Sequence, residues 1–162
     1  MPDALEVITS VISEHCSIRE QINDVDALFT IQRTQYQTAW SASSANELIK
    51  NREQLIKTVN TLEDGLKNHF SYEEKVLPLV LGELLLKNIL QEHPKILEQI
   101  ENARTILISL EGLDKDELLS KGTVLQQSIN TLSQNIENHA HHEETILNNI
   151  KKCLEEEVSN RD

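Results

Sequence analysis

The chain has 162 residues, of which 26% are charged, and its formal net charge is −12. A length of this order predicts one domain, residues 1–162, with a core large enough to fold on its own. Nucleic acid and an anionic membrane surface are disfavoured as partners, because either polyanion would be repelled by so acidic a protein.

Four long helices are predicted from the hydrophobic periodicity. With four Gly and three Pro, and with charged residues spread throughout, the composition favours helices over a turn-rich β fold. Apolar residues recur every seven positions, and this helical period predicts helices over about 3–38, 45–77, 83–111 and 118–157. One histidine falls in phase with the apolar stripe of each helix: His15, His69, His93 and His139.

The places where the chain reverses are predicted from these histidines. If antiparallel helices bring them to one level, each reversal lies near the midpoint between successive histidines, since both arms of a hairpin rise equally. The midpoints fall at 41–44, beside Pro78 and Gly82, and at 112–116, which are the best helix-breaking stretches of the chain. The sequence therefore predicts an all-α, antiparallel up-down-up-down four-helix bundle.

An internal repeat supports this architecture. The segment EHCSIREQI at 14–22 returns as EHPKILEQI at 92–100, and NHFSYEEKVL at 68–77 returns as NHAHHEETIL at 138–147. Self-similarity of this kind indicates two copies of one supersecondary unit, here a helical hairpin. Each hairpin is therefore expected to supply half of a shared site.

The inward histidines and two carboxylates form a candidate metal site. His69 and Glu73 are four residues apart, as are His139 and Glu143, so each pair lies on one helical face. Such buried groups cost several kcal/mol each unless they are paired or bind a metal. Imidazole with carboxylate suits iron, and also zinc or manganese, and matching carboxylates can bridge two ions. The predicted ligands are His15, His69, Glu73, His93, His139 and Glu143.

The order of lone His, HxxxE, lone His and HxxxE resembles the hemerythrin family, in particular its bacterial HHE-type members. HFSYEEKVLP, at 69–78, is similar to the HxxxEE signature of that family. The resemblance covers nearly the whole chain. It implies a hemerythrin-like bundle with two iron ions in an oxo- or hydroxo-bridged centre, with the four histidines as terminal ligands and Glu73 and Glu143 as bridges.

The chain departs from the oxygen-carrying hemerythrins at one position. Those proteins have a fifth histidine four residues after the histidine of the third motif, which is His93 in this chain. Leu97 stands at that position here. The resemblance then implies a non-haem di-iron protein that reacts with or binds dioxygen, nitric oxide or peroxide. Oxidative or nitrosative stress response and iron–sulfur cluster repair are the expected settings, with a separate redox partner supplying electrons.

Two alternatives stay open at this point. One is an oxygen- or iron-sensing or storage module without catalysis. The other is a structural bundle whose metal only holds the helices together, because buried ligands couple folding to metal binding.

Residues outside the six ligands are assigned other roles. Glu74 and Glu144 lie one step off the inner faces and are expected at the rim, or as acceptors for ligand N–H groups. His141 and His142 are not expected to be ligands. Cys16 and Cys153 lack metal-type spacing and are expected to be small, buried or half-buried side chains that stay unpaired.

A cytoplasmic location is expected. The sequence does not begin with the basic and apolar regions of a signal peptide. Its most apolar run, Val76 to Leu86, is shorter than the ~18 residues of a membrane span. Unpaired cysteines suit a reducing compartment.

Overall fold

The structure is a computed structural model that describes the backbone of residues 3–34 and 42–161 and the side chains of 3–28 and 49–161. Within these ranges all regular structure is helical, which confirms the all-α fold. The helices are α1 (Ala4–Thr34), α2 (Ala42–Val76), a 3₁₀ helix (Leu77–Leu79), α3 (Glu83–Leu90), α4 (Glu92–Ile108) and α5 (Lys115–Asn160).

Contacts between helices show that neighbours run antiparallel. Along α1 and α5, Asp26 contacts Ser133 and His15 contacts Glu144, so residue numbers rise on one helix as they fall on the other. The same holds for α2 and α4, where Arg52 contacts the carbonyl of Leu107 while Glu74 contacts His93. The helices thus form the predicted up-down-up-down bundle, with α3 and α4 together making its third arm.

The third arm differs from the prediction, because the expected single helix over 83–111 is broken at Gln91. Pro94 explains the break. It has no N–H to donate to the carbonyl of Leu90, and its ring would clash with that carbonyl in a continuous helix. The N–H of Gln91 still bonds to the carbonyl of Lys87, so the chain turns only slightly before α4 begins.

The reversals after α2 and α4 lie where they were expected. Pro78 occupies the first turn of the 3₁₀ helix, and Gly82 precedes α3 in an extended conformation. Gly112 has φ of 76°, a left-handed conformation that favours glycine, and Asp114 caps α5 by accepting a hydrogen bond from the N–H of Glu117. The predicted first reversal, 41–44, overlaps the start of α2, and residues 35–41 lie outside the described chain.

The core consists of two apolar clusters, one on each side of the histidine level. The larger cluster includes Ile18 and Ile22 of α1 and extends to Leu110, away from the short loop at Pro78. The smaller cluster includes Val7 and Val11 of α1, together with buried residues of the loop. The histidines therefore lie in a layer with apolar side chains both above and below.

Two further observations concern the surface. Cys16 and Cys153 are both free, but both are exposed, so the prediction that they are buried or half-buried side chains was wrong. Among the residues that the structure describes, no helix has a stretch long and apolar enough to cross a membrane.

Candidate metal centre

The structure brings together all six residues predicted as ligands. They come from four helices at one level of the bundle, and each is at most 5% exposed. Each lies in phase with its helix's apolar stripe, so the packing that forms the core also turns these polar side chains inward. The six are His15 of α1, His69 and Glu73 of α2, His93 of α4, and His139 and Glu143 of α5.

The six residues form two overlapping groups of four. In each group, one potential ligand atom from every residue lies within 4.8 Å of the others. The first group takes its imidazoles from His15 and His69, and the second takes them from His93 and His139. Glu73 and Glu143 belong to both groups, so two carboxylates lie between two pairs of histidines.

All four imidazoles present the same nitrogen to the centre. Nε2 of His15 lies 3.1 Å from Glu143 Oε1, and Nε2 of His93 lies 3.0 Å from Glu73 Oε2. Nε2 of His139 lies 3.4 Å from Glu143 Oε1, while Nε2 of His69 contacts Glu73. The Nε2 atoms and the central carboxylates therefore converge on one buried volume.

The opposite nitrogen of each imidazole meets a carboxylate on the outer side. Nδ1 of His15 lies 3.1 Å from Glu144, and Nδ1 of His69 lies 2.5 Å from Glu14. Nδ1 of His93 lies 3.4 Å from Glu74, and Nδ1 of His139 contacts Glu92. When Nδ1–H donates a hydrogen bond to an outer carboxylate, the Nε2 lone pair is free to bind a cation.

These outer carboxylates were only partly predicted. Glu74 and Glu144 lie at the rim and contact imidazole nitrogens, in agreement with their expected place. Glu14 and Glu92 were missed, although the repeat carried the signal, since each directly precedes the lone histidine of its motif. His142 is 48% exposed and lies 3.6 Å from Glu92, so it stays outside the group of six.

The two halves of the centre are not identical. The ring of Phe70 stacks on His93 with centroids 3.8 Å apart and 6° between the planes, and it meets His139 edge-on at 5.6 Å. The repeat places Ala140 at the equivalent position of the second hairpin. The ring also lies 5.9 Å from His69, tilted by 44°, but it stacks face to face only on His93, and its counterpart is a single methyl group.

The packing of the hairpins differs as well. A Cβ added at Gly65 would lie 2.3 Å from Oε1 of Gln21, so the side-chain amide of Gln21 on α1 occupies the space beside Gly65 of α2. The second hairpin has Asn135 in the equivalent position, and a cavity of about 230 Å³ lies between α4 and α5. The cavity is lined by Glu92, Lys95, Ile96, Gln99, Asn135, Asn138 and His139.

Burial and mutual contact shape the ionisation of the centre. Burial disfavours the charged form of Glu73, but the close imidazoles of the four histidines outweigh burial and hold its pKa below the usual range. Burial raises the pKa of Glu143. Burial also lowers the pKa of His15, yet hydrogen bonds to Glu143 and Glu73 outweigh this effect and raise the pKa of His15 to about 10. The carboxylates thus strongly favour positive charge at their centre.

A metal ion fits this arrangement. Five buried atoms at the centre lack a hydrogen-bond partner among the described residues: Nε2 of His69, His93 and His139, and Oε2 of Glu73 and Glu143. Each such atom costs about 1–3 kcal/mol when left unsatisfied. A cation bound between them would satisfy nitrogens and oxygens together, and imidazole with carboxylate is a common metal-binding set.

Comparison with known proteins agrees with this reading. The model of the hemerythrin HHE cation-binding domain matches residues 7–150, a range that includes all six buried residues. No curated protein and no solved structure matches the chain.

Proposed function

Since the chain belongs to the hemerythrin HHE cation-binding domain family, we propose that its buried histidines and glutamates hold two iron ions and that this centre reacts with dioxygen, nitric oxide or peroxide. The observation that carries the proposal is the pair of four-residue groups that share both carboxylates. Bound iron would supply one-electron chemistry toward these small molecules, with electrons coming from a separate redox partner.

Each ion would have its own pair of imidazoles. His15 and His69 would hold one ion, and His93 and His139 would hold the other. Glu73 and Glu143 would bridge the two, because each belongs to both groups. Nitrogen and carboxylate ligands in this ratio suit iron, whereas a thiolate-rich set would favour other metals or clusters.

The surroundings of the site support reactivity with small molecules. The apolar clusters on both sides exclude bulk water, so charges at the centre interact more strongly than they would in solvent. The outer carboxylates hold the Nδ1 protons and keep the imidazoles oriented. The chain itself thus positions ligands and limits the access of water.

Incomplete protein ligation favours reaction over reversible carriage of dioxygen. Leu97 stands where oxygen carriers have a further histidine, and its half-buried side chain packs against the larger apolar cluster. Leucine cannot coordinate a metal. Four imidazoles and two carboxylates would hold two ions without a further histidine, so a small oxidant or nitric oxide could bind where an oxygen carrier has its extra ligand.

The test begins with metal analysis of the purified chain. The reduced protein is then mixed anaerobically with dioxygen, nitric oxide or peroxide in separate experiments, and absorption spectra are followed in time. We expect two ions per chain, mainly iron, and spectral change with turnover of at least one reagent. Leu97→His should slow that reaction, whereas Leu97→Ile, which adds no atom able to coordinate a metal, should not.

Repeated binding and release of dioxygen without oxidation, and without turnover of peroxide or nitric oxide, would contradict the proposed reaction and favour a sensing or storage module. Two zinc ions and no iron in chain isolated from its natural host would contradict the proposed metal.

A further inference from the structure

Arg19 of α1 connects two carboxylates of α5 at the edge of the centre. Its Nε and Nη2 atoms donate to Glu137, both at 2.9 Å. Its Nη1 and Nη2 atoms donate to Glu144 at 2.8 and 3.0 Å. One guanidinium therefore makes two paired contacts, a geometry that fixes both carboxylates much more firmly than a single hydrogen bond would.

The fixed Glu144 is the carboxylate that meets His15. Oε1 of Glu144 lies 3.1 Å from Nδ1 of His15 and also accepts from Arg19. Glu144 is only 17% exposed, so water competes weakly for its oxygens. A continuous path of contacts thus runs from Arg19 through Glu144 to the imidazole of His15.

The other half of the centre lacks this path. The repeat pairs Glu144 with Glu74, which is 54% exposed and lies 3.4 Å from Nδ1 of His93. The counterpart of Arg19 is Leu97, which cannot hold Glu74. His93 is instead stacked against Phe70, whose own counterpart is Ala140. Each half therefore orients one imidazole, but by a different contact.

We propose that Arg19 is a positioning residue that fixes His15 through Glu144, and that Phe70 does the same for His93 by stacking, so that each residue controls the retention of one of two metal ions. This inference rests on the proposed function, because it requires two ions. Arg19 also neutralises Glu144 and so weakens its pull on the Nδ1 proton. Orientation should outweigh this effect, because loss of such outer partners commonly lowers metal affinity about 10–100-fold.

The test follows the release of iron(II) from the fully loaded chain to an excess of a chelator that absorbs when it binds iron(II), under anaerobic conditions. Release from the unaltered chain is expected in two phases of equal amplitude. Arg19→Leu should speed one phase about 10–100-fold, and Phe70→Leu, which keeps an apolar side chain without a ring, should speed the other. Arg19→Lys keeps the charge without the paired contacts. Its iron(II) release should be faster than that of the unaltered chain and slower than that of Arg19→Leu.

Arg104 provides the matched control. It also joins two helices through several contacts, to Asn60 and Glu63 of α2 and to Glu101 on its own helix, but none of these residues touches a histidine of the centre. Arg104→Leu should therefore leave both phases within about twofold of the unaltered chain. The free energy of unfolding of each metal-free variant is measured in parallel, so that loss of global stability is separated from the change in release.

The outcomes distinguish this inference from the function on which it rests. A chain that binds fewer than two ions would contradict both. A chain with two ions whose release is unchanged by Arg19→Leu, or is accelerated equally in both phases, would overturn the inference alone. The same holds if Arg104→Leu gave the effect expected of Arg19→Leu.

Discussion

Each histidine of the centre uses its two ring nitrogens for different purposes. Nε2 faces the central carboxylates, while Nδ1 faces an outer one, and this division holds on all four helices. A buried histidine that served only packing would also need partners for both ring nitrogens, but nothing would require four of them to turn the same nitrogen toward shared carboxylates. The repeated division of roles is what separates a candidate ligand from a buried structural residue.

Removing one central carboxylate tests the ligand assignment. Glu143 is fully buried, and Glu143→Ala should lower the metal content and the melting temperature, because the remaining histidines lose a shared partner. His69→Ala should act in the same direction. Metal is measured by elemental analysis and melting by circular dichroism.

The exposed Glu53 of α2 provides the control for these variants. Glu53→Ala removes the same carboxylate-bearing side chain from a solvated position and should change neither quantity measurably. Unchanged iron content in both Glu143→Ala and His69→Ala would contradict the assignment.

Side-chain spacing was sufficient to select the six central residues, whereas the outer carboxylates required knowledge of neighbouring helices. Glu14 reaches His69 and Glu92 reaches His139, in each case across a hairpin. Helical periodicity reports the face on which a residue lies, but not which side chain of the next helix it meets. Only the recurrence of Glu before each lone histidine pointed to them.

At the scale of helices, the break at Gln91 separates a short helix with few buried side chains, α3, from a longer and better packed one, α4. α3 has eight residues, of which Ile89 alone is buried, and Leu84 is 76% exposed. α4 has 17 residues and contributes five buried side chains, including His93. A helix as short as α3 is not stable by itself in water, so it depends on its contacts with the rest of the bundle. Because α3 makes few buried contacts, we expect it to be less stable than α4.

Amide hydrogen exchange should reveal this difference. We expect protected amides of α3 to exchange at least about tenfold faster than those in the middle of α4, which corresponds to about 1.4 kcal/mol less in opening free energy. Pro94→Ala restores an N–H that can bond to the carbonyl of Leu90, and it should slow exchange around the junction. Equal protection of α3 and α4 in the unaltered chain would contradict the expectation.

Sequence periodicity could not reveal this break. The inward positions of the third arm continue in phase through it, since both Ile89 and His93 are buried. The repeat also masked the effect of Pro94, because its counterpart is Cys16, which lies in an unbroken α1. The loops at Pro78 and Gly112 were easier to predict, because there the breakers coincide with the end of the apolar pattern.

For the whole molecule, metal and fold are expected to stabilise each other. The ligands come from all four arms of the bundle, so an ion at the centre joins helices that are distant in sequence. The apolar clusters on both sides should keep the metal-free chain folded, since neither depends on the ligands for its contacts.

Metal removal should therefore lower the melting temperature without abolishing folding. A ligand at 100 times its Kd stabilises by about 2.7 kcal/mol, and for a chain of this size that is a shift of roughly 5–10 °C. Calorimetry of the metal-free and reloaded chain measures the shift. Removing metal from Glu143→Ala should change its melting temperature little. If metal removal did not change the melting temperature of the unaltered chain, the coupling between metal binding and folding would be contradicted.

The global fold was the most predictable level of this molecule. The number, order and direction of the arms could be predicted from four in-phase histidines and two duplicated motifs. A hairpin that is repeated in sequence is expected to bury the same face in each copy. The differences between the hairpins were not predictable in the same way. The contact of Gly65 with Gln21, for example, depends on where the side chain of one helix meets the other helix, which neither sequence pattern reports.

The carboxylates around the centre also determine its charge balance. Two lie between the imidazoles, and four contact them from outside. Arg19 offsets the charge of Glu144, and the other outer carboxylates are partly exposed, but the two central ones are fully buried and repel each other strongly, because a protein interior screens charge far less than water does. Two ions of charge two or three would bring roughly four to six positive charges. The bundle can thus hold a highly charged pair of ions and still present a nearly neutral layer to the apolar side chains above and below it.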